Sequence, residues 1–263
     1  KMKFSVVSSM NLEYNRLVGQ RMIQSYSKHW PAEIPLTVYA EDASSWLSNP
    51  LYSLKDLHQC EPTLQKFIDR NSNRPGQLNP LAMELGAIRF SYKTYSILNA
   101  AQNCNSDYLI WLDADTYTYT DIPIEFLNSL VDPKTFLVYL GRNNTNSECG
   151  FVIYNMKHAD TVDFFATWRD LYETDKLFEL EQWHDSYVFD CIRLQFEKQR
   201  GTINRNLTPS GKDYDHVFIN SELGKYIDHM KGPRKNEGKS RSTDIYTERK
   251  ESYWTVDFWK DRQ

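Results

Sequence analysis

Long apolar runs are missing from this chain. No stretch approaches the roughly 20 apolar residues that a membrane-crossing helix needs, and the opening KMKFSVVSSMN turns polar too early to be the apolar core of a secretory signal. Paired CxxC spacing is missing too, because Cys60, Cys104, Cys149 and Cys191 are scattered, which indicates neither a zinc knuckle nor a disulfide framework. These absences read as a soluble protein of a reducing compartment, the cytoplasm. Positive charge is not in excess either. A net charge of −4 gives no general attraction for nucleic acid or a membrane surface. No internal repeat is visible, and the triplets Asn143-Asn144-Thr145 and Asn206-Leu207-Thr208 match the glycosylation sequon without a secretory signal to give them meaning.

What is present fits one α/β domain. The 263 residues are 40% apolar and 25% charged, so the chain can bury a sizeable core. Aromatics make up 14%; such rings suit stacking on nucleobases or sugars, and large core side chains account for them equally well. The β-branched run Lys3 to Ser9 predicts a strand, Glu13 to His29 a helix, and Leu36 to Ala40 a second strand. Helical spacing is clearest from Pro80 to Ala101, where Leu81, Leu85, Ile88, Tyr92 and Tyr95 share a face and Arg89 and Lys93 share another. Tyr108 to Leu112 (YLIWL) reads as a buried central strand of a largely parallel sheet. Further strands are expected at Thr135 to Leu140 and Phe151 to Tyr154, and helices at Ala159 to Tyr172 and Ser186 to Glu197. This alternation predicts ligand binding at the carboxyl ends of the strands. After Gly232 the chain turns basic and polar, so a domain over residues 1–235 and a tail or lid over 236–263 are expected.

Asp113-Ala114-Asp115 follows directly on the apolar run. In extended backbone, alternate side chains project to one side, so both carboxylates can face one hard divalent cation, Mn²⁺ or Mg²⁺. Over a hundred residues on stands His229-Met230-Lys231-Gly232-Pro233-Arg234-Lys235. Here His229 can complete a metal shell, Gly232 permits close backbone approach to phosphate, and Lys235 can neutralise a diphosphate.

These two motifs, in this order, resemble the family-eight glycosyltransferases, the retaining group with the GT-A fold that includes glycogenin. The family carries LDxD after a strand and HxxGxxK near its end, matched here by Leu112 to Asp115 and His229 to Lys235. The resemblance implies a GT-A fold, a single Rossmann-like mixed sheet flanked by helices. It implies a nucleotide-sugar donor, with uracil as the base, and an acceptor hydroxyl on a carbohydrate or another molecule. Asp113, Asp115 and His229 would hold the metal, the backbone near Ser8 and the ring of Tyr14 the nucleobase, and Arg89 or Lys93 the phosphate and sugar. Ala114, Gly150, Gly232 and Lys235 would border the donor, and Asp185 and Lys235 would serve the chemistry. Three departures stand out: Glu148 replaces the family's Asn, Ser186 its Gln, and Pro-Trp does not follow Lys235. The first two would line the sugar pocket, which leaves open an inverting displacement with Asp185 as general base.

Other readings of the same residues are a phosphatase using DxD, which normally has Thr or Val where Tyr117 stands and carries its motif near the N-terminus, and a binding module without turnover. A calcium loop counted from Asp113 fails, because its sixth position is Thr118 where the sharp turn requires Gly.

Overall fold

The computed structural model describes residues 2–42, 49–75, 85–209 and 216–255. Its strands are β1 (Phe4–Met10), β2 (Leu36–Ala40), β3 (Ser53–Asp56), β4 (Tyr108–Leu112), β5 (Thr116–Thr118), β6 (Leu137–Leu140), β7 (Glu148–Asn155), β8 (Asn204–Asn206) and β9 (Ile227–His229). Seven of them form one sheet in the order β3-β2-β1-β4-β7-β6-β8, and β5 pairs with β9 in a two-stranded ribbon. Pairs β1–β2, β1–β4, β2–β3 and β6–β8 are parallel, whereas β7 runs antiparallel to both β4 and β6. The sheet is therefore mixed.

Pleating divides the central strands between two cores. Val6, Ile110, Leu112, Phe151 and Ile153 face one side, and Val7, Leu109, Trp111, Val152 and Tyr154 the other. With both faces covered, β4 shows no polar alternation, which is why its sequence is apolar throughout. Helix Gln20–His29 covers the first face through Met22, Ile23 and Tyr26. Helices Ala87–Gln102, Thr161–Glu173 and Asp185–Arg200 cover the second.

Several boundaries differ from the sequence-based ones, for local reasons. The first helical stretch is not one α-helix: Asn11 caps a single turn, Leu12–Tyr14, and a π turn, Asn15–Gly19, precedes Gln20–His29. A Cβ on Gly19 would come within 2.2 Å of Met10 Sδ, so glycine leaves room for the Met10 side chain between this turn and the end of β1. The helix expected from Pro80 spans Ala87–Gln102, and Leu81 lies outside the described residues. Its buried face is also different. Ser91, Thr94, Tyr95 and Leu98 are inside while Ile88 and Tyr92 are half-buried, because other helices as well as the sheet pack against it.

Residues 236–255, expected as part of a tail or lid, lie along the domain. Ser240 and Tyr253 hydrogen-bond Asp228 of β9, and the Tyr253 ring stacks on Tyr119 at 4.1 Å between centroids. Among the described residues no helix is long and apolar enough to cross a membrane.

Candidate metal and donor site

β4 ends at Leu112, and its carboxyl end delivers the DAD segment. Asp113 N–H donates to the Gly150 carbonyl at 2.9 Å, and the chain then turns, with Thr116 N–H returning to the Asp113 carbonyl at 3.2 Å. Asp113 and Asp115 therefore converge across a tight turn rather than along extended backbone as expected. The turn buries Ala114 in the core and leaves the Asp115 side chain 7% exposed. Beyond it, β5 sets Thr116 directly opposite His229 of β9, which brings His229 to Asp115 across 114 residues of sequence.

Three donor atoms meet there. His229 Nε2 is 3.1 Å from Asp115 Oδ1 and 3.7 Å from Asp113 Oδ2, and one atom from each of the three residues lies within 4.8 Å of the others. Ligands about 2.1 Å from an octahedral ion stand roughly 3 Å apart along an edge, so the trio needs little adjustment to surround one cation. Two carboxylate oxygens and an imidazole form a donor set able to hold a divalent cation, so the residues fit a metal at this position.

The other carboxylate oxygens are already taken. Asp113 Oδ1 accepts from Lys93 Nζ at 2.9 Å and Trp111 Nε1 at 2.6 Å, while Asp115 Oδ2 accepts from the Tyr14 hydroxyl at 3.0 Å and lies 3.1 Å from Lys235 Nζ. Burial pushes the Asp115 carboxyl up, but His229 and Lys235 outweigh it and hold it below the usual carboxylate range. At Asp113 burial dominates, reinforced by Asp115, and its carboxyl stays raised although Lys93 opposes this. Burial lowers His229, yet Asp115, Glu148 and Asp113 raise it above an ordinary imidazole. Lys93 is likewise raised against its own burial by Asp113 and Asp185.

Lys93 ties the sheet to a helix. Its ammonium touches Asp113, the Cys149 carbonyl at 2.8 Å and Asp185 Oδ2 at 2.8 Å. Asp185 opens helix Asp185–Arg200, where the amino-terminal dipole favours its charge. Lys235 reaches Asp115 because Gly232 adopts φ +55, a left-handed turn, before the short helix Arg234–Glu237. A Cβ at Gly232 would meet no protein atom within 4 Å, so among the protein's own contacts it is the left-handed turn that calls for glycine there.

The remaining sequence-singled residues are distributed unevenly. The Tyr14 ring lies 5.1 Å from the Lys235 ammonium, and Arg89 is exposed. Ser8 is fully buried, and its hydroxyl has no hydrogen-bond partner among the described residues. A Cβ on Gly150 would come within 2.6 Å of His229 Cε1, so this glycine makes room for the imidazole. Glu148 is turned toward Lys231 and His229, and Ser186 toward the Cys149 sulfur.

Trp111 and Lys231 also belong to this cluster, and neither was singled out from the sequence. Trp111 was legible from its place two residues before Asp113. Lys231 carried no signal beyond its position between His229 and Gly232. A separate cavity of about 900 Å³, lined by Arg21, Tyr117, Tyr119, Lys239 and Tyr253 among others, opens on the ribbon face opposite His229 and touches none of the predicted site residues.

No protein-family model matches the chain, and no curated protein sequence matches it. Solved structures do match. Mouse xyloside xylosyltransferase 1, in its apo form, is similar over 79% of this chain and 86% of that one, with a TM-score of 0.50 and 10% identity. A glycosyltransferase involved in glycosylation of the major capsid of PBCV-1 matches over 90% of this chain and 98% of that one, with a TM-score of 0.44 and 15% identity. The WbbM bifunctional glycosyltransferase matches over 79% and 39%, with a TM-score of 0.49 and 15% identity. The first of these carries the fold assignment: this chain has the GT-A fold, a mixed sheet flanked by helices.

Proposed function

We propose that this chain is a metal-dependent glycosyltransferase of the family-eight type. In this reading it takes a sugar from a nucleotide-diphosphate donor, a uridine one, and passes it with retention to a hydroxyl acceptor. The observation that carries the reading is the convergence of Asp113 Oδ2, Asp115 Oδ1 and His229 Nε2 at the carboxyl end of the central strand, with lysines on the outer carboxylate oxygens. A divalent ion held there supplies positive charge for a bound diphosphate.

The chain's own residues supply the rest. Lys235 is one quarter exposed and bound to Asp115, so it can exchange that partner for the diphosphate and offset the charge that develops as the glycosidic bond breaks. Lys93 fixes Asp113 and Asp185 as one unit, which presents Asp185 to sugar hydroxyls as a hydrogen-bond acceptor. The ring of Tyr14 offers a face to the nucleobase while its hydroxyl steadies Asp115. Retention rather than inversion is the reading adopted, since the Asp185 carboxylate is engaged by the Lys93 ammonium at 2.8 Å instead of standing free beside an acceptor hydroxyl. Four free cysteines are in keeping with a reducing, cytoplasmic setting.

A panel of nucleotide sugars with and without Mn²⁺ tests this. Metal-dependent release of a nucleoside diphosphate is expected, strongest for a uridine donor. Turnover of an aryl phosphate with no release from any donor would overturn the reading in favour of the phosphatase.

A further inference from the structure

We infer that Glu148 is a positioning residue for His229: its carboxylate receives the imidazole's outward N–H and aims the opposite nitrogen at the two aspartates. The inference rests on the metal site proposed above.

His229 is 3% exposed, and its Nδ1 has no hydrogen-bond partner among the described residues. A buried N–H left in that state is costly. When Nε2 serves as a ligand, the proton of a neutral ring must sit on Nδ1. Glu148 Oε1 stands 3.7 Å from that nitrogen, within about 0.8 Å of a full hydrogen bond.

The carboxylate is held so that it faces the ring. Oε1 accepts from the Gly150 N–H at 3.2 Å, and Oε2 is bound by the Lys231 ammonium. Glycine at 150 leaves the space in which the two groups meet, because a Cβ there would lie 3.0 Å from His229 Nδ1 and 3.2 Å from Glu148 Oε1. Phe218 packs on the imidazole at 5.0 Å between centroids and limits its rotation.

The test uses the full chain and MnCl₂ alone, at pH 8. Mn²⁺ affinity is measured by titration, and pulsed electron paramagnetic resonance reads the ¹⁴N coupling of a coordinated imidazole. Glu148→Ala is expected to weaken Mn²⁺ binding about 10- to 100-fold, the range for loss of such outer partners, and to diminish the ¹⁴N coupling. Glu148→Gln keeps the volume and an acceptor oxygen without the charge, and a smaller, several-fold loss is expected. A purely structural role would lower the melting temperature of either variant and leave affinity and coupling in the folded protein unchanged, and that result overturns the inference. If Glu148→Ala does not fold, the same two readings on Glu148→Gln decide it. Absence of ¹⁴N coupling in the wild-type protein would instead sink the assignment of His229 as a ligand.

Discussion

Gly150→Ala should damage the metal site more than the fold. The added methyl would stand 2.6 Å from His229 Cε1, about 1 Å inside an ordinary carbon contact of 3.5–4.0 Å. The imidazole must retreat, but Phe218 packs on it and Thr116 sits opposite its backbone, so its donor atom leaves the position facing Asp115. Overpacking typically costs about 1–3 kcal/mol, and the reduced freedom of alanine in the unfolded chain returns about 0.4–1 kcal/mol. Because Gly150 is not among the residues at positive φ, no backbone strain adds to this. A net loss of about 1–2 kcal/mol leaves the protein folded, while a misplaced ligand should cost roughly 10- to 100-fold in Mn²⁺ affinity, comparable to losing an outer-shell partner. Urea denaturation gives the first quantity and Mn²⁺ titration the second. Wild-type Mn²⁺ affinity in a folded Gly150→Ala protein would refute the packing argument.

Asp113→Asn and Asp115→Asn should each abolish Mn²⁺-dependent donor hydrolysis and leave a cooperative melting transition, since these carboxylates lie at a strand end; activity at wild-type level in either would dismiss the metal assignment. Lys235→Ala should lower turnover more than affinity for a donor analogue, because the lysine acts chiefly on charge that develops in the transition state; equal losses in kcat and in analogue binding would speak against that role. Glu41 provides a pH test outside the metal site. Burial raises its carboxyl from 4.5 to about 7, opposed by the Ser9 hydroxyl at 3.0 Å and assisted by Asp42. The folded state therefore holds a proton that the unfolded chain releases, and this group's contribution to stability falls as pH rises from about 4.5 to 7, by at most about 3 kcal/mol. Denaturation of Glu41→Gln across that range should show a flatter profile and higher stability at pH 8; a profile parallel to the wild type would contradict the raised carboxyl.

The sequence by itself determined the elements whose pattern is local. β4 announced itself as an apolar run long enough for a strand buried on both faces, and the DAD segment as the acidic end of it. β2 and the helices near 161–173 and 185–200 were legible within a few residues, because their periodicity follows from one dominant packing direction. The pairing of Asp113 and Asp115 with His229 was also anticipated, but through resemblance, since nothing within either segment encodes a distance across 114 residues. Tertiary structure alone decided how they meet. The DAD carboxylates converge by a turn that the Gly150 carbonyl anchors, and β5 and β9 are three residues each, too short to leave a periodic signal. Helix Ala87–Gln102 turned a different face inward than its apolar spacing suggested, because several elements enclose it and small polar residues such as Ser91 and Thr94 can be buried once hydrogen-bonded. Gly150 read as a donor contact and Glu148 as a change in a sugar pocket; their places beside the imidazole follow from how β7 lies against β9, and a side chain's neighbour across a fold is fixed by packing that no single segment carries.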